Sequence, residues 1–196
     1  SALYQKRVKR LFAYSTIAHT GFILLGIVCC SLQSVKAMSV YIIIYSILTI
    51  TTFAFLLNAS IANHNYPKYL TNWTAIGIKN FFFAISFSLV MFSTAGIPPL
   101  AGFFSKFFVL LNTVGQGYYY LAFVIILISS AACFYYIRLI KIFFFVKNTK
   151  NFYWMSNVNK TNTEIIIAPL FFFNILFVVK PDLISQLANV ISFIIL

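Results

Sequence analysis

Long apolar runs alternate with short polar segments along the whole chain. Five of these runs approach the roughly 20 residues that one transmembrane helix needs, and they cover about residues 11–31, 38–62, 81–112, 118–145 and 165–179. The pattern predicts an all-α integral membrane protein with about five transmembrane helices in a membrane domain over residues 11–180. Residues 1–10 are a basic N-terminal segment. We expect the apolar residues 181–196, which are short for a span, to lie at the interface or to pack on a partner.

The third run differs from the others because it is long and interrupted. A straight helix over residues 81–112 would be ~48 Å long, whereas the hydrocarbon core is ~30 Å thick. Gly96, Pro98 and Pro99 divide the run into two pieces, neither of which crosses alone. The run is therefore either one broken span or a re-entrant hairpin.

The distribution of cations favours the broken span. A broken span places eleven cations on the N-terminal side and two on the other, whereas a hairpin divides them six to seven. The positive-inside rule therefore predicts the broken span and an N-terminus on the cytoplasmic or matrix side. The eleven cations are Lys6, Arg7, Lys9, Arg10, Lys68, Lys79, Arg138, Lys141, Lys147, Lys150 and Lys160.

Composition narrows the class of protein further. The chain is 62% hydrophobic and 8% charged, whereas soluble domains carry about 25% charged residues. The net charge of +12 does not indicate nucleic-acid binding, because the cations occupy short segments between the apolar runs. The chain has two acids, Glu164 and Asp182, and no spacing of cysteine and histidine typical of a metal site. We therefore predict neither paired-carboxylate chemistry nor a metal site on this chain.

Lys106 lies inside the interrupted third apolar run. It is six residues, or ~9 Å, from the predicted end of its span, where an uncompensated charge costs at least ~2.5–3.5 kcal/mol. Such a side chain either extends towards the headgroups or faces a bundle interior or water-filled cavity on an ion path.

The helix break supports the second interpretation of Lys106. Pro98 and Pro99 donate no backbone hydrogen bonds and free carbonyls upstream, and broken helices form ion sites in transporters, although an ordinary proline kink is the alternative. We expect Gly102, one turn before Lys106, to leave space beside it. Break and lysine together predict a proton path in which Lys106 gains and loses a proton.

His19 is a second candidate for proton transfer. It shares a helix face with Ser15 near the middle of the first span. A neutral histidine can relay protons or can hydrogen-bond a neighbouring helix, and the sequence favours neither role. Tyr45, Thr49 and Thr52 form another polar stripe, which we expect to pack helices rather than to conduct.

Four segments of the chain together form a specific pattern: KRLFAYSTIAHTGFILLGI from residue 9, STAGIPPLAGFFSKFFVL from residue 93, FYYIRLIKIFF from residue 134 and KPDLISQLAN from residue 180. In this order they resemble the antiporter-like subunits of respiratory complex I, the mitochondrial NADH:ubiquinone oxidoreductase, and in particular its chain 2 family. The resemblance implies an antiporter-like fold of inverted five-helix repeats, each with a broken helix. It also implies proton pumping coupled to NADH oxidation by ubiquinone in the mitochondrial inner membrane. Lys106 falls on the family's lysine in the second broken helix, in the outer half of a proton path, and His19 matches a histidine of the family motif.

The resemblance also implies partners. NADH, FMN, iron–sulfur clusters and ubiquinone would bind to partner subunits, with no cofactor and no redox chemistry on this chain. Compared with the family, the sequence lacks the first repeat and the first helix of the second repeat. Either the subunit is split between two chains or this sequence is a fragment. We expect a split subunit, in which a separate chain supplies the missing N-terminal half. The alternatives are a subunit of a multi-chain cation/proton antiporter and a structural membrane subunit that does not conduct.

Overall fold

The computed structural model describes residues 4–58, 68–74, 81–145, 161–177, 186 and 188–192. These residues form six α-helices and a 3₁₀ turn at Leu70–Trp73, between the second and third helices. Apart from an isolated bridge between Arg7 and Tyr69, no strand occurs in this part of the chain. The prediction of an all-α membrane fold is confirmed. The helices are α1 (Val8–Val28), α2 (Leu32–Asn58), α3 (Phe81–Ala95), α4 (Ala101–Gly115), α5 (Tyr119–Phe144) and α6 (Thr161–Leu176).

Three of the described helices are long and apolar enough to cross a membrane. These are α1, α2 and α5, with 21, 27 and 26 residues, which corresponds to lengths of about 32–40 Å. Helices α3 and α4 are equally apolar but have 15 residues each, so that each is ~22 Å long and neither spans the ~30 Å core alone.

Helix bounds and predicted spans differ by a few residues. Helix α1 begins three residues before the predicted first span, and α2 begins six residues before the predicted second span. Hydropathy marks the hydrocarbon region, whereas a hydrogen-bonded helix continues into the interface. Residues 59–62 of the predicted second span, and residues 181–196 except 186 and 188–192, lie outside the described residues.

Helices α3 and α4 together make one broken crossing. At the start of α3, the Phe81 ring lies 6.5 Å from that of Phe144 at the end of α5. At the end of α4, the Asn112 side-chain amide donates to the Gln33 carbonyl at the start of α2. The start of α2 lies at the end of the bundle where α1 finishes. The start of α3 lies at the other end, because Phe87 of α3 packs on Trp73 and the segment of Trp73 is bonded to the start of α1 through Lys68 and Val8. A re-entrant hairpin would instead return α4 to the end from which α3 enters.

Aromatic packing fixes α3 in the bundle. The Phe87 ring of α3 lies 5.8 Å from Trp73 in the 3₁₀ turn and 5.3 Å from Phe143 of α5. All three side chains are fully buried, as are Met91 of α3 and Ile44 of α2. This core directs the broken end of α3 into the centre of the bundle.

Candidate functional site at the helix break

Helix α3 ends in a glycine-dependent cap. Gly96 has φ of +90°, its amide donates to the Ser93 carbonyl, and the Ile97 amide donates to the Phe92 carbonyl. These are the two hydrogen bonds of a Schellman motif, which needs a residue in the left-handed region. The cap satisfies the Phe92 and Ser93 carbonyls and leaves those of Thr94 and Ala95 without backbone partners.

The two prolines account for these free carbonyls. In a continuous helix, the Thr94 and Ala95 carbonyls would accept hydrogen bonds from residues 98 and 99, both of which are prolines without an N–H. Lys106 supplies the missing donors. Its Nζ lies 2.8 Å from the Thr94 oxygen and 2.9 Å from the Ala95 oxygen. The break and the lysine therefore form one structural unit.

The Lys106 side chain points into the bundle rather than towards the membrane surface. It lies in the second turn of α4, is 9% exposed and runs back towards the end of α3. Its Nζ is 5.8 Å from the centre of the Phe22 ring of α1. A Cβ at Gly96 would lie 3.0 Å from the Lys106 Cδ and 3.2 Å from Nζ. The missing side chain at Gly96 therefore makes room for the lysine.

Gly102 lies at the close crossing of α3 and α4. A Cβ at this position would overlap the backbone carbonyl of Ser93, and the Gly102 amide lies 3.2 Å from the Ser93 hydroxyl oxygen, to which it donates. The glycine thus allows α3 and α4 to cross in close contact. It also lines a cavity together with Lys106, so both Gly96 and Gly102 leave space beside the lysine.

His19 lies in a buried cluster of tyrosines from two other helices. Its Nδ1 is 2.7 Å from the Tyr41 hydroxyl, and its Nε2 is 3.3 Å from the Tyr136 hydroxyl. The Tyr45 ring stacks on the imidazole at a centroid distance of 4.4 Å. A neutral imidazole donates from one nitrogen and accepts at the other, so His19 can link the two hydroxyls in either tautomer.

Lys106 and His19 line the same small cavity. Its volume is about 10 Å³, close to the space that one water molecule needs. The residues that line it are His19, Tyr41, Tyr45, Leu48, Ser93, Thr94, Gly102, Ser105 and Lys106. The structure therefore brings the two residues that the sequence predicts for proton transfer to the wall of one cavity.

A second cavity, of about 20 Å³, lies on the other side of His19. Tyr45, Thr49 and Thr52 line it together with Ser15. The stripe that the sequence predicts to pack helices therefore also lines a cavity. Most of its hydroxyls are already bonded to the helix backbone, since the Thr49 and Thr52 hydroxyls donate to carbonyls three residues earlier.

The site can hold the Lys106 nitrogen in both of its protonation states. An ammonium donates three hydrogen bonds and a neutral amine donates two. Both carbonyl contacts can therefore persist when the proton leaves, and the lone pair then faces away from the break. Among the described residues, no group of three or more histidine, cysteine, aspartate or glutamate side chains could hold a metal ion.

Sequence reasoning identified Lys106, His19 and the break but not all their partners. The positions of the prolines indicate the acceptors Thr94 and Ala95, four residues earlier in each case. Nothing in the sequence indicates that Tyr41 and Tyr136, which are 22 and 117 residues from His19, would meet on its ring.

Comparison with known proteins places these features in a family context. Residues 1–134 match the family described as NADH:quinone oxidoreductase/Mrp antiporter, TM. The chain is 39% identical over 182 residues to NADH-ubiquinone oxidoreductase chain 2 of Arabidopsis thaliana, and the aligned region covers 93% of this chain and 36% of that protein. It is 37% identical over 145 residues to NADH-quinone oxidoreductase subunit N 1 of Rhizobium meliloti, and the aligned region covers 74% of this chain and 30% of the relative. The chain thus spans about a third of the length of these relatives.

Solved structures share the fold. A chain of respiratory complex I from Thermus thermophilus with bound aureothin superposes with a TM-score of 0.76 at 24% identity, over 94% of this chain and 41% of that one. A chain of the Mrp complex from Dietzia sp. superposes with a TM-score of 0.80 at 15% identity, over 97% of this chain and 43% of that one.

Proposed function

The chain belongs to the NADH:quinone oxidoreductase/Mrp antiporter transmembrane family, and from that premise we propose that it is a membrane-arm subunit of a proton-pumping NADH:ubiquinone oxidoreductase. In this proposal it contributes the second-half proton path of an antiporter-like subunit. The observation that carries the proposal is the Lys106 ammonium bound to the two carbonyls that Pro98 and Pro99 leave free.

In the proposed path, Lys106 carries the proton and His19 relays it. The cavity between them has room for about one water molecule, which would bridge the amine and the imidazole cluster. The Tyr41 and Tyr136 hydroxyls continue the hydrogen-bonded chain on both sides of the ring. The break formed by Gly96, Pro98 and Pro99 keeps the amine at this depth in the membrane.

The redox chemistry belongs to other subunits in this proposal. NADH, FMN, iron–sulfur clusters and ubiquinone would bind there, and this chain would assemble with other complex I membrane subunits and with membrane lipids. Relatives named NADH-ubiquinone oxidoreductase chain 2 support this assignment. We propose the mitochondrial inner membrane as the location, with the N-terminus on the matrix side.

We also propose that a separate chain supplies the N-terminal half of the subunit. This chain matches 36% of the Arabidopsis protein and 49% of chain 2 from Metridium senile, a coverage that fits both a split subunit and a piece of a longer chain. A mass-spectrometric inventory of the purified complex tests this part of the proposal. It should contain a distinct polypeptide that matches the upstream helices, and an inventory without one would contradict the split.

Replacement of Lys106 by Met tests the proposed function. Met preserves most of the side-chain volume but removes the proton carrier, so protons pumped per NADH oxidised should fall while the complex stays assembled. The matched control is Lys141→Met in the last turn of α5, far along the chain from the break, which should leave the ratio unchanged. Unchanged pumping and turnover in Lys106→Met would favour the structural, non-conducting alternative.

A cation/proton antiporter is the second candidate function. The superposition on a chain of the Mrp complex from Dietzia sp., with a TM-score of 0.80, supports it as a fold. Purification of the native assembly distinguishes the two candidates. Co-purification with flavin and iron–sulfur proteins is expected for the oxidoreductase, and their absence from an intact assembly would favour the antiporter.

A further inference from the structure

An apolar groove between α1 and α5 opens on the outer surface of the bundle. Its volume is about 410 Å³. Small residues contribute to its lining, among them Gly21, where an added Cβ would meet no other atom within 4 Å. The groove is lined by Tyr14, Ile17, Ala18, Gly21, Phe22, Ile125, Ile128, Ala131, Ala132 and Tyr135. Because α1 and α5 both have the length and hydropathy of membrane spans, this groove lies within the hydrocarbon region.

An arginine stands at the same end of each wall of the groove. Arg10, Tyr14, Ile17 and Gly21 follow one another at spacings of four, three and four residues and so share a face of α1. On α5, Arg138 follows the lining residue Tyr135 by three positions. Both arginines are exposed and lie at the end of the bundle where α1 starts and α5 finishes.

This end of the bundle has an excess of positive charge that the chain cannot neutralise by itself. The described residues place seven cations there: Lys6, Arg7, Lys9, Arg10, Lys68, Arg138 and Lys141. Backbone hydrogen bonds of Val8 and Leu70 tie the N-terminal segment to the segment that carries Lys68. The whole chain contains two acids. Even if both neutralised cations at this end, five positive charges would require anions from outside the chain.

We propose that the groove binds an anionic phospholipid, with its phosphate at Arg10 and Arg138 and an acyl chain along α1 and α5. Guanidinium groups bind phosphate oxygens in a bidentate manner, and basic pockets between membrane helices bind anionic headgroups. The distance along α1 from Arg10 to Gly21 is ~16 Å, close to the ~15 Å depth of one leaflet's acyl chains. The charge and the length of the groove therefore fit the same ligand.

Photo-crosslinking in the assembled complex tests the proposal. Phosphatidylglycerol and phosphatidylcholine, each with a photoactivatable group in one acyl chain, are added at equal concentration, and the labelled peptides are identified by mass spectrometry. The anionic probe should label residues 14–21 and 125–135 several-fold more than the zwitterionic one. Each cation near the surface strengthens anionic binding about fivefold, so Arg10→Gln should reduce the preference about fivefold and Arg10→Gln with Arg138→Gln about 25-fold.

Two further variants separate binding in the groove from general effects. Lys36→Gln removes one cation from the opposite end of the bundle and should not change the preference. Gly21→Leu should narrow the groove and reduce labelling by the anionic probe, since a Cβ meets open space there and the fold can accommodate the side chain. Equal labelling by both probes would indicate bulk lipid, and no labelling by either would indicate a helix of another subunit in the groove. Both results would overturn the proposal.

Discussion

At the scale of single residues, one charged side chain and one glycine stabilise the break that the prolines create. Lys106 supplies hydrogen-bond donors to two carbonyls that the prolines leave unpaired. In a membrane, such carbonyls must find partners in protein or water. The ammonium in turn is compensated by two oxygen acceptors and by the face of Phe22. A residue that costs energy in an apolar run is thereby stabilised by the defect beside it.

Gly96→Ala should weaken the site through both conformation and contact. A left-handed backbone costs a non-glycine residue about 1–2 kcal/mol, and the added Cβ would lie 3.0 Å from the Lys106 Cδ. We expect a less stable assembly, by about that amount or more, and fewer protons pumped per NADH. The thermal stability of the purified complex and its proton/NADH ratio measure the two effects.

Gly115→Ala is the matched control for this prediction. A Cβ at Gly115 meets nothing within 4 Å, and the residue ends α4 without a left-handed backbone. It should leave the stability and the ratio close to wild type. If Gly96→Ala had the same stability and proton/NADH ratio as Gly115→Ala, the inference that Lys106 packs closely against Gly96 would be wrong.

Local sequence signals predicted part of this site. A cation inside an apolar run and two adjacent prolines are visible in the sequence, and the spacing of four residues in a helix leads from the prolines to their acceptors. The tyrosines around His19 could not be predicted, because Tyr41 and Tyr136 reach the ring only through the packing of α2 and α5 against α1. The close crossing at Gly102 could not be predicted for the same reason, since its neighbour Ser93 belongs to the other half of the break.

At the scale of elements, α3 and α4 act as two halves of one span that the prolines hold apart. Each half is too short to cross the membrane, and the Schellman cap at Gly96 ends the first half before the prolines begin. Hydropathy and charge predicted the all-α class and the one broken crossing. They marked the limits of the hydrocarbon rather than the ends of the helices, which is why α1 and α2 begin earlier than predicted.

Replacement of both Pro98 and Pro99 by Ala should return the break towards a continuous helix. The two new N–H groups can bond the Thr94 and Ala95 carbonyls, each worth about 1 kcal/mol, and would compete with Lys106. We expect the lysine to lose its acceptors and proton pumping to fall without loss of assembly.

Pro169→Ala serves as the control, because Pro169 lies within α6 and outside the cavities around Lys106. It should leave pumping unchanged. Normal pumping in the Pro98→Ala, Pro99→Ala double variant would show that the break is an ordinary kink without a role in the proton path.

At the scale of the whole molecule, one end of the bundle is strongly basic. Seven described cations lie at the end where α1 starts, whereas Lys36 is at the other. The start of α3 contacts the end of α5, and the end of α4 contacts the start of α2. The broken span therefore runs once from one end of the bundle to the other, in agreement with the charge distribution. Composition and charge could anticipate this arrangement, since the topology depends on charge counts rather than on detailed packing.

Cysteine labelling tests the topology. In a Cys30→Ser background, Tyr4→Cys and Tyr119→Cys place thiols at two exposed positions, before α1 and at the start of α5. A membrane-impermeant thiol reagent should reach the first from one side of the membrane and the second from the opposite side. Labelling of both from one side would contradict a single broken crossing.

The most direct test of the central claim is a density map of the assembled complex at a resolution that shows ordered water. We predict that Lys106 Nζ lies within hydrogen-bonding distance of the Thr94 and Ala95 carbonyls, with a water molecule in the cavity between it and His19. A map with that side chain extended to the phospholipid headgroups, beside a continuous helix and a dry cavity, would contradict the account.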